Sequence, residues 1–162
     1  MNSAMAKLYT LTVPDMLWVN LQVTKDTQQY SFARLEEAVF CQYGYGGSDD
    51  VLGQAAQFLT GFRRLRPFTH GNAACAFIGM VVFLEMNGFA LDFPESEAVA
   101  WATEAWADES AVTAKIAAAT HPHDAEIHDD IPSAREIAEQ VLAKYREAIQ
   151  TLNSEEPVVA LL

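Results

Sequence analysis

Arginine, histidine, glycine and asparagine meet in the run Arg66-Pro-Phe-Thr-His-Gly-Asn72, just before a long apolar stretch. A helix that starts there leaves its first backbone N–H groups without intrahelical partners. Those donors and the positive end of the helix dipole favour an anion. Ala73 and Ala74 are small and leave the approach open. Arg66 could add a forked donor to a phosphate or carboxylate. Gly71, Asn72, Ala73 and Ala74 with Arg66 therefore make a candidate anion pocket, although many Gly-Asn helix starts hold only water. His70 is the one histidine near the turn and could act as base, acid or metal ligand. No Asp or Glu stands between Asp50 and Glu85 to orient it, so the plainer reading is a loop histidine facing solvent.

The elements that position this turn read as helices. Thr12, Pro14 and Asp15 have the types and spacing of a capped helix start, predicting a helix over about 14–22. Ser31 to Phe40 reads as a second helix, with Phe32, Leu35, Val39 and Phe40 near one face. Gln42 to Asp50 is glycine-rich loop. Asp49 or Asp50 caps a third helix, about 51–64, with Leu52, Ala55, Ala56, Leu59 and Phe62 inward. Asn72 is the expected N-cap of the next. Its run Phe77-Ile-Gly-Met-Val-Val-Phe-Leu84 has almost no polar face, which places it in the middle of a bundle. Asn87-Gly88 stops it, and Phe89 to Phe93 is briefly extended. Helices follow over about 94–107, carrying Trp101 and Trp106, and over Ser110 to Ala119. His121 to Asp130 is a loop. One long helix opens at Pro132 and Ser133, striped by Ile137, Val141, Leu142, Tyr145 and Ile149, and the tail is loose from Asn153. Leu8 to Leu11 allows a short extended piece.

Composition bounds the function. The 162 residues suit one domain, 1–162, with no internal repeat or linker. With 22 acidic against 10 basic residues the formal charge is −12, which argues against a nucleic-acid surface. Three of the ten basic residues are Arg63, Arg64 and Arg66. They either offset a helix dipole or flank the anion pocket. The apolar run Ala73 to Leu84 is too short to cross a membrane, and the N-terminus is a poor secretion signal. A cytoplasmic location and two buried thiols, Cys41 and Cys75, are expected.

At the Arg66–Ala74 run the chain resembles the Fic/Doc (Fido) family, its death-on-curing branch in particular. That family carries His-Pro-Phe-x-Asp/Glu-Gly-Asn-Gly/Lys-Arg; here the run reads Arg66-Pro67-Phe68-Thr69-His70-Gly71-Asn72-Ala73-Ala74. Phe83-Leu-Glu-Met-Asn87-Gly88-Phe89 after the central helix, Ala55-Ala56 before it, and Leu8 to Met16 add to the likeness. It is clearest over about residues 50–92. The resemblance implies an all-α, Fido-like bundle around a buried central helix, with room for a small β-hairpin flap to which Tyr43 and Tyr45 would belong. Pro67, Phe68, Asn87 and Gly88 would be the structural residues of the motif.

Family members transfer AMP or another phosphate-containing group from a nucleotide to a protein hydroxyl, and some are toxins. The resemblance places Arg66 where the general-base histidine stands, and a guanidinium stays protonated. His70 replaces the acid that helps bind the divalent cation, and Mg²⁺ prefers oxygen ligands. Ala73-Ala74 replaces the phosphate-contacting pair, and Phe77 falls where a later arginine would. The expectation is a catalytically degenerate binding or regulatory protein with a residual anion or nucleotide pocket, no cofactor, and a protein, nucleotide or small anion as partner. The alternatives are an active transferase using a nucleotide with Mg²⁺, His70 taking a new role, and a purely structural subunit. Many such enzymes are held off by a helix carrying Ser/Thr-x-x-x-Glu-Gly/Asn. The nearest run, Thr151-Leu-Asn-Ser-Glu155, is followed by Glu156 and has no motif arginine to meet, so it reads as chance.

Elsewhere, His121, His123 and His128 with Asp124, Asp129 and Asp130 could take a transition metal. They lack a recognised ligand spacing and read more simply as an acidic solvated connection. Trp18, Trp101 and Trp106 read as core aromatics rather than a ligand box.

Overall fold

Local capping chemistry sets where the first three helices begin in the computed structural model, which describes residues 8–44, 50–123 and 133–157. Helix α1, Val13–Thr24, opens on a closed capping box: the Thr12 hydroxyl accepts from the Asp15 N–H and the Asp15 carboxylate from the Thr12 N–H. Helix α2, Phe32–Phe40, is capped by Ser31. Helix α3, Val51–Leu65, is capped by Asp50, whose carboxylate accepts the Gly53 N–H at 2.7 Å.

Helix α4, Asn72–Met86, is the centre of the core. Fourteen of its fifteen residues are buried, Glu85 being the exception. It packs against α1, α3 and the two C-terminal helices. Gly79 lets α3 approach: a Cβ there would lie 2.4 Å from the Phe58 ring. The helix stops at Asn87, and Gly88 takes the left-handed conformation at φ 91°. Asn87 also holds the N-terminal segment, accepting the Tyr9 N–H and donating to the Tyr9 carbonyl. Residues 8–11 form no strand; Asn87 holds them at Tyr9 and the buried Gln42 side chain at Leu11, accepting its N–H and donating to its carbonyl.

Strand β1, Phe89–Leu91, pairs antiparallel with β2, Thr120–Pro122, in the register Ala90↔His121. Helices α5, Ala98–Ala107, and α6, Val112–Ala119, lie between the two strands. This small sheet is therefore a long-range pair and not a hairpin, and it does not involve Tyr43.

The C-terminal stretch departs from one continuous helix. Helix α7, Ala134–Lys144, starts at Ser133, and α8, Arg146–Glu155, follows a break at Tyr145. Tyr145 is itself buried, with its ring edge-on to Phe77 at 5.3 Å. Seating that ring in the core turns the chain there. The stretch from Asn153 to Glu155, expected to be loose, is instead the last turn of α8, which packs on α4. Among the described residues no helix is long and apolar enough to cross a membrane.

Candidate functional site at the start of the central helix

The turn before α4 is fixed by its own side chains. Arg66 ends α3 in the left-handed conformation at φ 45°. Pro67 and Phe68 are buried, and the Phe68 ring lies between Phe62 and Tyr30, at 6.4 and 6.0 Å. Backbone bonds from Ser31 N–H to the Pro67 carbonyl and from Thr69 N–H to the Gln29 carbonyl tie the loop to the segment before α2.

The N-cap is Gly71, not Asn72. Gly71 sits at φ 90°, and a Cβ there would come within 2.8 Å of Asn20 Nδ2, so geometry and space both require glycine. Asn72 is instead the first helical residue and is fully buried. Its side chain folds back onto the loop, accepting the Phe68 N–H at 2.9 Å and donating to the Phe68 carbonyl at 2.8 Å. Asn20 Nδ2 holds the other side, donating to the His70 carbonyl at 2.9 Å.

One first-turn donor meets a carboxylate from the C-terminal part of the chain. Ala73 N–H donates to Glu156 Oε2 at 3.3 Å. Glu156 Oε1, Asn153 Oδ1 and His70 Nδ1 are buried atoms without a hydrogen-bond partner among the described residues. Beside this contact opens a cleft of about 400 Å³ bounded by Arg63, Arg66, Ala73, Trp106, Glu155 and Glu156. A second hollow of about 280 Å³ shares Arg63, Arg66 and Trp106 with it and adds Thr60 and Arg64. Arg63 stacks over the Trp106 ring at 5.3 Å, and Arg64 pairs with Glu109 at 3.4 Å. Trp106 Nε1 is buried without a partner among the described residues.

Cys75 lies just below, its Sγ 3.6 Å from Asn20 Nδ2. Burial pushes its thiol up to about 12; the Asn20 hydrogen bond lowers it and the nearby Glu156 charge raises it. Cys41 is also buried and free, as expected, its thiol raised first by burial.

The structure thus brings together Arg66, Gly71, Asn72, Ala73 and the neighbouring Ala74. His70 is half-buried rather than a free loop side chain. Asn87 and Gly88 lie at the opposite end of α4. Tyr43 is exposed in a single 3-10 turn, stacked edge-on with Phe40; Tyr45 lies outside the described residues. His123 Nε2 is 3.0 Å from the Glu85 carbonyl oxygen, and His121 lies 3.6 Å from Asp92. His128 and its neighbouring acids fall outside the described residues. Among the described residues no group of three His, Cys, Asp or Glu could hold a metal ion.

Glu156 and Asn20 were not foreseen at this site, whereas Arg63 was expected with Arg64 and Arg66 as a candidate flank of the pocket; Trp106, expected in the core, packs against it and also lines the cleft. Asn20 carried a weak signal, as a polar residue next to Val19 at the buried side of α1, where Met16, Val19 and Asn20 are the buried residues. Comparison of the chain with family models, with curated proteins and with solved structures gives no match.

Proposed function

We propose that this chain is a binding protein on a Fic/Doc-like scaffold, with an anion pocket and without the transfer chemistry of that family. The observation that carries the reading is the Glu156 carboxylate at the Ala73 N–H, on the wall of a cleft that also holds Arg63 and Arg66. A helix start that already receives a negatively charged oxygen is suited to a ligand's phosphate or carboxylate. The Arg66 guanidinium supplies charge on the same wall. Its neighbours argue against catalysis: a guanidinium cannot act as a base, and His70 offers a nitrogen where a hard cation would want oxygen.

In this reading Glu156 acts as an internal stand-in for the ligand, and an incoming anion must displace it. Calorimetric titration with inorganic phosphate and with ATP, with and without Mg²⁺, tests it. The expected result is metal-independent binding that strengthens several-fold in Glu156→Ala and is lost in Arg66→Ala. Absence of anion binding in both the native chain and Glu156→Ala would overturn the pocket. Mg²⁺-dependent transfer of phosphate or AMP to a protein would overturn the loss of chemistry.

A further inference from the structure

The sequence places Phe32, Leu35, Val39 and Phe40 near one face of α2, and the structure divides them by burial. Leu35 and Val39 are buried, whereas Phe32 is 58% exposed and Phe40 42%. Among the described residues five large hydrophobic side chains stand exposed, and four of them, Tyr30, Phe32, Phe40 and Tyr43, lie between positions 30 and 43. Phe40 and Tyr43 are in ring contact at 5.9 Å. Phe32, Glu36 and Phe40 follow at four-residue spacing, which makes them one stripe two turns long, about 12 Å. Isolated exposed apolar residues need no explanation, but exposed aromatics gathered on α2 and in the turn that follows it are the kind of feature an interaction surface uses.

The charge around the stripe selects its occupant. Glu36 stands between the two phenylalanines and Glu37 beside them, both exposed. The chain carries −12 overall, so a second copy would bring acid against acid. We propose that the exposed face of α2 docks a cationic amphipathic helix of another protein. Its apolar side chains cover Phe32, Phe40 and Tyr43, and its lysines or arginines meet Glu36 and Glu37. This mode lays one apolar helix face on another, with charge fixing the polarity of the partner. The inference is independent of the anion pocket.

The test uses two designed helical peptides with the same leucine face, one with a lysine polar face and one with a glutamate polar face. Fluorescence anisotropy measures each against the full chain. The expected result is binding of the lysine peptide alone, weakened by raised salt. Binding falls at least tenfold in the double variant Phe32→Ser, Phe40→Ser, and several-fold in Glu36→Gln, Glu37→Gln. Both variants alter exposed side chains, and their circular dichroism and melting temperatures check that the fold is kept. Equal binding of both peptides, or lysine-peptide binding unchanged in the phenylalanine variant, overturns the proposal. Self-association in sedimentation equilibrium that the phenylalanine variant abolishes also overturns it, because the occupant is then a second copy.

Discussion

Glu156 and Ala73 stand 83 positions apart in the chain, yet the carboxylate of one receives the backbone N–H of the other at 3.3 Å. The contact fastens the end of α8 to the start of α4. A carboxylate at a helix start is worth about 1 kcal/mol, through the hydrogen bond and the dipole together. Glu156→Ala should therefore lower the melting temperature by about 2–4 °C. Scanning calorimetry measures this, and phosphate should restore more of the loss in the variant than it adds to the native chain. An unchanged melting temperature would mean that the contact carries no weight.

Asn72 is the side chain on which the loop depends. It is fully buried and satisfies both the N–H and the carbonyl of Phe68. Asn72→Ala strands those two groups, and each buried unsatisfied group costs about 1–3 kcal/mol. We expect a loss of about 2–4 kcal/mol in urea denaturation. Asn72→Asp keeps the acceptor for the Phe68 N–H but sets a carboxylate against the Phe68 carbonyl, so it should not rescue the loss. Full stability in Asn72→Asp would contradict the bonding described.

These residues also separate what was legible in the sequence from what was not. The cap at Thr12 was legible, and that of α3 down to Asp49 or Asp50, because a side chain bonding two or three positions away is a local event; Ser31, read as the first residue of its helix, is its cap. The all-helical class and the burial of α4 were legible, because a run without a polar face has only one place to go. The cap at Asn72 was misplaced by one residue. Asn72 spends its side chain backwards on Phe68, and nothing local distinguishes that from capping forwards. Glu156 was invisible because its partner is set by the packing of α8 on α4. The exposure of Phe32 and Phe40 was not legible, because periodicity gives a stripe but not how much of it a neighbour covers.

Gly79 marks a close approach in the core. Its missing side chain makes room for Phe58, and an added methyl would meet that ring at 2.4 Å and approach Met16 Cε at 3.2 Å. Overpacking of this kind typically costs about 1–3 kcal/mol, against less than 1 kcal/mol of helix propensity gained. Gly79→Ala should destabilise despite improving the helix. Adding Phe58→Leu should recover part of the loss, and additive losses in the double variant would contradict a direct clash.

Cys75 makes stability depend on alkaline pH in a direction that follows from burial. Its thiol has an ordinary value of 9.0 and is pushed up to about 12 in the folded chain. Below pH 9 both states hold the proton and the group contributes no slope. Between 9 and 12 the unfolded chain releases the proton while the folded chain keeps it, so stability falls as pH rises, with a limiting slope of about 1.4 kcal/mol per pH unit. Burial raises Cys41 and Tyr145 as well, so they act in the same sense. Cys75→Ala removes one of these three contributions. At pH 7 it should be less stable than the native chain by about 1 kcal/mol, for the lost sulfur contacts. As pH rises from 9 to 10.5 its stability should fall less steeply than that of the native chain, and the two curves should converge. Urea denaturation at several pH values reads the difference directly, and parallel curves would show that Cys75 ionises in the folded protein as readily as in the unfolded one.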